Sequence, residues 1–319
     1  MQANTLSPNP LLSSIAVDVK NRDYIADQVL TPVGVPNMLC RYIDYDQGVT
    51  FKAPVATMAQ NGTPNTIELK GTIRSLTLDT RALKATVDPL EQSQSPQAQI
   101  EAMKTVKLQN ALLLDREIRV ASAVLSAGQY GGNTDDLSGN DQWSDYVHSN
   151  PILAIAEAQN MLPRQANRLF LGRDVYSALR IHPVIIAALS VNQLHGMATL
   201  EQLAGLFEVE KVVVGAAYVD TAGEGLAADP ELIWQESAGG GVALLAYVDP
   251  SPPSPLMDQP TLGYLPTLGG AGVPVTRIYK YVNQLAGTGG GQTEIKAETA
   301  YKALVSAPQM GFLWTSVLS

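Results

Sequence analysis

The chain has 319 residues, 45% of them hydrophobic, and a formal net charge of −9. That much apolar material can bury one or two cores without disulfides or metal. The acidic balance excludes a general nucleic-acid binder, because 21 basic residues against 30 acidic ones repel phosphate unless the cations cluster.

The opening MQANTLSPNPLLSS has no basic side chain before Lys20 and no apolar run behind it, unlike a secretory signal. Through residue 48, Pro8, Pro10, Pro32 and Pro36 punctuate short apolar pieces. YIADQVLTPVGVP is therefore expected to run extended rather than helical, as an arm lying over something else, such as a second copy. Cys40, the only cysteine, reads as an inert packed thiol and fits a reducing compartment. Residues 49–87 read as a long two-stranded excursion. FKAPVATMAQ leads to the tight-turn pair Asn61-Gly62, and TPNTIELKGTIRSLTLDT leads back. Ile67, Leu69 and Ile73 keep one parity while Leu76 and Leu78 take the other, which predicts a bulge or bend between Gly71 and Ser75.

Helical spacing of Ile100, Met103, Val106, Ala111, Leu114, Ile118, Ala121 and Leu125 predicts one long amphipathic helix, from about Ser95 to Ala127. Ser95-Pro96 supplies its start and Gly128 its stop, and at 1.5 Å per residue it would be a rod of ~50 Å, a spine. A polar loop, YGGNTDDLSGNDQWSD, follows. Then come helix NPILAIAEAQNML, strand RLFLG, helix RDVYSALRIHPVI, helix TLEQLAGLF, and strands KVVVGAAYV and GVALLAYVD. The proline cluster DPSPPSPLMDQP marks a boundary or surface loop, and the tail reads as two or three short strands around Ala307-Pro308. The longest apolar runs are strand-length, far short of the roughly 20 residues of a membrane span.

Reactive motifs are scarce. Gly287-Thr288-Gly289-Gly290-Gly291-Gln292 lacks the Lys-Ser/Thr of a Walker loop and the last glycine of a dinucleotide fingerprint, and reads as a flexible loop. Asp135 to Asp141 lacks EF-hand spacing. His148, His182 and His195 have no metal-ligand pairing; His182, before Pro183, is placed at a helix end where a cation would suit the dipole. There is no Gly-x-Ser-x-Gly elbow. The reading therefore assigns no catalytic, cofactor-binding or metal residue, and no cofactor.

The order of the pieces carries more than any one of them. YIADQVLTPVGVPNMLCRYIDYDQGVTFKAP, AMKTVKLQNALLLDREIRVASAVLSAGQY, WSDYVHSNPILAIAEAQNML, NRLFLGRDVYSALRIHPVI and ATLEQLAGLFEVEKVVVGAAYVDTAGEG followed by IWQESAGGGVALLAYV together resemble tailed-bacteriophage major capsid proteins of the Hong Kong 97-type fold. Glu208 stands where such proteins often carry glycine. The resemblance implies an α+β chain: an arm over 1–48, an extended hairpin over 49–87, a peripheral domain with spine helix over 88–145, an axial domain over 146–270 and returning peripheral strands over 271–319. It implies a structural protein that is not an enzyme, self-assembling through pentamers and hexamers into an icosahedral shell. Subunit contacts would fall at the hairpin tip (Asn61, Gly62, Thr63) and the arm (Tyr24, Ile25, Val29, Val33), with Ile100, Met103, Leu114, Ile118 and Leu125 as the spine stripe. Scaffolding, portal and decoration proteins are implied partners, with double-stranded DNA inside bound without sequence preference. The virion, assembled in the host cytoplasm, is the implied location, with no membrane. A nanocompartment shell of encapsulin type shares the fold as the alternative, and an α/β enzyme without recognisable motif is the weaker one.

Overall fold

The computed structural model describes residues 24–45, 71–87, 97–189, 196–223, 225–236, 239–249, 261–269, 276–284 and 291–319. The expected hairpin tip, the helix start at Ser95-Pro96, His195 and most of the proline cluster and glycine-rich loop lie outside these residues.

Two sheets flank one long helix. The first joins β1 (Thr31–Val35), β11 (Gly263–Leu268), β13 (Gln292–Tyr301) and β12 (Arg277–Asn283), with β4 (Asp79–Val87) along β13 and β14 (Leu304–Val305) on β11. The second runs β5 (Thr134–Asp136), β15 (Gly311–Thr315), β10 (Ala243–Ala246), β6 (Arg168–Gly172), β7 (Lys211–Gly215). Two ribbons complete the strands: β2 (Leu39–Tyr45) with β3 (Gly71–Thr77), and β8 (Tyr218–Asp220) with β9 (Pro230–Leu232). The helices are α1 (Ala26–Val29), α2 (Gln97–Val124), α3 (Pro151–Met161), α4 (Arg173–Leu179), α5 (Pro183–Leu189) and α6 (Leu200–Leu206).

The second sheet explains why its strands read as unbroken apolar runs. Side chains alternate across a strand, and here both faces are covered. Leu169, Leu171, Val212, Ala243, Leu245, Phe312 and Trp314 point into a core shared with α3, α4 and α6. Phe170, Val213, Leu244, Ala246 and Leu313 point the other way, into a core shared with α1 and α2. Trp314 anchors the first core, its ring centroid 5.6 Å from Trp143 and 4.6 Å from Phe312. The last strand therefore belongs here, between β5 and β10, and not with the returning peripheral strands as expected. Its FLWT is apolar on both parities, so only the doubly covered sheet can bury it.

Local rules set the helix ends. The Asn150 side chain accepts from Leu153 N at 3.2 Å, with Pro151 in the first turn of α3. Thr199 and Gln202 form a reciprocal capping box on α6. That helix is followed by Glu208 at φ +54°, the left-handed geometry that explains why a glycine would be expected there. The helix expected over RDVYSALRIHPVI is two, α4 and α5, because Pro183 lacks an N–H and opens a new helix at its first position. The arm is not wholly extended either: ADQV makes one helical turn before β1. The ribbon starts earlier than expected, at Leu39, and β3 is unbroken to Thr77. No bulge interrupts Gly71 to Ser75, and the break in pairing falls at buried Leu78, between β3 and β4.

On β13, Glu294 accepts from Tyr281 Oη at 2.6 Å, Asn283 Nδ2 at 3.0 Å and Lys84 Nζ at 3.3 Å, tying β12 and β4 to the central strand. The Tyr281 hydroxyl, then Asn283 and Lys84, hold its carboxyl down at about 2 against an ordinary 4.5. A depressed carboxyl stabilises the fold above its unfolded value and loses that contribution as pH falls through its folded one. Glu294→Gln is expected to flatten the acid limb of stability between pH 4.5 and about 2, measured by urea midpoints against pH. An unchanged slope in that window would show that this cluster does not couple to folding.

Candidate assembly surfaces

The spine helix spans 28 residues, about 42 Å at 1.5 Å per residue. Its buried face is not the apolar stripe read from spacing. Met103 and Ile118 are 67% and 37% exposed, and Ile100, Leu114 and Leu125 are only half-buried. The buried positions are Glu101, Thr105, Leu108, Gln109, Leu112, Arg116, Glu117, Val120, Ala121 and Val124. Half of this face is polar: Glu101, Arg116 and Glu117 each bind a neighbouring element, while Thr105 Oγ1 donates to Glu101 O within the helix at 2.8 Å. Glu101 takes Lys280 Nζ at 2.7 Å from β12, and Glu117 holds the arm. A periodicity search that equates apolar with buried turns such a helix to the wrong face, because buried groups with hydrogen-bond partners escape the desolvation penalty.

Glu117 is the centre of that attachment. Its Oε1 accepts from Ile25 N at 2.8 Å and Trp234 Nε1 at 2.6 Å, and its Oε2 accepts from Ala26 N at 2.9 Å. Burial pushes the carboxyl up from 4.5, while these three donors pull it back. Beside it, Arg116 pairs with Asp27; Arg168 donates to Gln28 O, and Lys211 Nζ to Gln28 Oε1 at 2.7 Å. The arm residues expected to touch a neighbour are thus already occupied. Ile25 and Val29 pack with Val120, Ala121 and Val124 of the same chain, Val33 is buried on β1, and Tyr24 is half-buried. Apolar side chains this close to an anchoring carboxylate fill the subunit's own core.

What remains uncovered is the opposite side. Met103, Ala111 and Ile118 lie exposed along the spine, and two grooves flank its C-terminal half. One, of about 780 Å³, carries Asp136, Glu231 and Glu236; the other, of about 360 Å³, carries Arg81, Arg119 and Lys302 with Asp79 and Asp115. The second set is largely self-paired: Arg119 Nε lies 3.0 Å from Asp115, and Lys302 Nζ 2.8 Å from Asp79. The ribbon is also bare, with Ile73 65% exposed and Leu39 58% exposed. A two-stranded ribbon with bare apolar side chains is marginal alone and calls for a surface to rest on. Among the described residues, no group of three His, Cys, Asp or Glu is placed to hold a metal ion. No described helix is long and apolar enough to cross a membrane.

No protein-family model matches the chain. The major capsid protein of Pseudomonas phage JBD67 is 31% identical over 322 aligned residues, covering 98% of this chain and 97% of that protein. The chain belongs to the phage major capsid proteins. The major capsid protein of Burkholderia phage BcepMu is 26% identical over 220 residues, 66% of this chain and 70% of its own length. Among solved structures, a phage-related protein of Bordetella bronchiseptica superposes with a TM-score of 0.75 at 20% identity, covering 98% of each chain. The SrpI encapsulin of Synechococcus elongatus gives 0.51 at 10% identity, covering 95% of this chain and 92% of its own. At such identities these structures speak to the fold alone. It is the α+β, Hong Kong 97-type capsid fold. For a phage capsid protein, exposed apolar side chains on the spine and ribbon are unsurprising, since the free subunit is only one part of a shell.

Proposed function

We propose that copies of this chain associate through pentamers and hexamers into the icosahedral head of a tailed phage, assembled in the host cytoplasm around or ahead of double-stranded DNA. The function is mechanical, and no bond-making step is assigned to any residue. The observation that carries this reading is full-length similarity to a phage capsid protein, joined to a subunit that leaves Met103 and Ile118 on the spine and Leu39 and Ile73 on the ribbon exposed. The ribbon, with Asn61, Gly62 and Thr63 at its tip, would lie across an adjacent subunit; scaffolding, portal and decoration proteins would be the other partners.

Closed symmetry repeats every contact many times, so modest individual interfaces suffice. Sedimentation velocity on the chain expressed alone, with negative-stain images of the fastest fraction, is expected to show capsomers or closed shells. A chain that stays monomeric both alone and co-expressed with a scaffolding partner would overturn the reading. Mass spectrometry of purified shells separates the two uses of this fold: a captured enzyme as cargo would favour an encapsulin-type compartment.

A further inference from the structure

The described part of the chain begins at Tyr24, at the wall of a groove. Ile25 N and Trp234 Nε1 share the Glu117 carboxylate, and the chain neighbours of these two anchors, Ile118 and Ile233, line the groove of about 780 Å³. Its exposed and half-buried apolar surface comes from Ile118, Leu125 and Val219. Around that surface stand Asp136, Glu231 and Glu236, while among the described residues no lysine or arginine lines the groove. Asp136 accepts from Thr315 Oγ1 at 3.1 Å, and Glu236 from Ser316 N at 3.0 Å and Ser316 Oγ at 3.1 Å. Those donors are neutral. Among the described residues none of the three carboxylates pairs with a cation. An apolar trough with an uncompensated acidic rim fits an occupant that is apolar on one side and basic on the other.

The stretch immediately upstream of Tyr24 has that character. In IAVDVKNR, Ile15, Val17 and Val19 fall on one parity, and Lys20 and Arg22 on the other with Asp18. In an extended chain successive side chains point to opposite sides, so the apolar set and the two cations separate. Nine residues separate Ile15 from Tyr24, a reach of about 30 Å at 3.3 Å per residue. The spine positions that line the groove, Ile118 to Ala127, cover about 14 Å at 1.5 Å per residue, well inside that reach. Attachment through Tyr24 also holds the stretch at a high effective concentration, which a separate molecule would have to outcompete. The second groove beside the spine suits it less, because Arg81, Arg119 and Lys302 line that one.

We propose that residues 15–22 dock in this groove of their own subunit. Ile15, Val17 and Val19 lie against Ile118, Leu125 and Val219, and Lys20 and Arg22 turn toward the acidic rim. The attachment that Glu117 makes at Ile25 then continues upstream along the same spine, and the groove is closed by the chain's own arm. This concerns one subunit and does not depend on assembly into a shell.

The test is zero-length carbodiimide cross-linking of the full chain, with products separated on a denaturing gel and mapped by mass spectrometry, alongside hydrogen exchange of residues 15–22. Expected is an amide between Lys20 and Glu231, Asp136 or Glu236 in the band of monomer mass, since both ends belong to one chain. Wild-type amides at 15–22 should exchange at least about tenfold slower than in an unstructured peptide of the same sequence. Val17→Asp should remove about tenfold or more of that protection, the worth of a buried valine. Glu231→Lys should lower it by about two- to fivefold, and because Glu231 is exposed the substitution leaves the cores intact. The same link confined to the band of dimer mass would overturn the assignment in favour of a neighbouring copy's stretch, with the shell reading intact. Amides at 15–22 that exchange freely, or protection that neither variant lowers, would overturn docking in this groove altogether. A chain that never assembles but shows the monomer link and the protection would support the docking and count only against the shell.

Discussion

Removing residues 311–319 is expected to leave a chain that does not fold. The segment looks like a tail in sequence, but its strand lies between β5 and β10 in the second sheet. Its loss uncovers both cores at once, since Phe312, Trp314 and Val317 belong to one and Leu313 to the other. Burying a large apolar side chain is worth about 1.5–3 kcal/mol, so four of them approach the whole stability of a typical domain, about 5–15 kcal/mol. The truncation also strands the ladder groups of β10 and β5 without partners. Near-ultraviolet circular dichroism should be lost and the product should be insoluble. The milder Trp314→Ala should fold and cost about 3–5 kcal/mol. A soluble truncation with native near-ultraviolet signal would mean that the second sheet closes without the strand between β5 and β10.

Glu117→Ala is the second large effect. The change leaves Ile25 N, Ala26 N and Trp234 Nε1 without an acceptor in a dry site. An unsatisfied buried donor costs about 1–3 kcal/mol, and three that share one acceptor are not additive, so the total is expected near 3–5 kcal/mol. Glu117→Gln keeps one oxygen to accept but sets an amide N–H against a backbone donor, and should cost about 1–3 kcal/mol. Urea unfolding measures the loss, and limited proteolysis locates it, because residues 24–30 should become cleavable first. A Glu117→Ala variant as stable as wild type, with that segment still protected, would show that apolar packing of Ile25 and Val29 alone fixes the arm.

Much of the fold was legible locally. The spine helix, the helix beginning NPILAIAEAQNML, the strands RLFLG and KVVVG and the two or three short strands expected around Ala307-Pro308 follow from periodicity and punctuation that act within a few residues. The order of pieces sufficed for the resemblance to phage capsid proteins. The placement of each surface was not legible. The stripe through Met103 and Ile118 looked buried because it is apolar, whereas the buried face carries Arg116 and Glu117. The arm's Ile25 and Val29 looked like contacts for a neighbour because no local partner was in view; their partners lie about ninety residues away on the spine. His182 looked like a cation at a helix end, but it is fully buried ahead of α5, and burial lowers its pKa below the usual 6.5.

The division has one physical cause. Backbone conformation and amphipathic period are decided by neighbours a few residues apart, so the sequence alone determined the elements, their order and the family they spell. Which face of each element is buried depends on groups brought together from across the chain. A buried carboxylate with three donors is stable, while the same carboxylate alone would not be, and only the tertiary structure supplies the donors. It likewise decided that the last strand lies inside the second sheet and that Ile25 and Val29 of the arm pack in the subunit's own core.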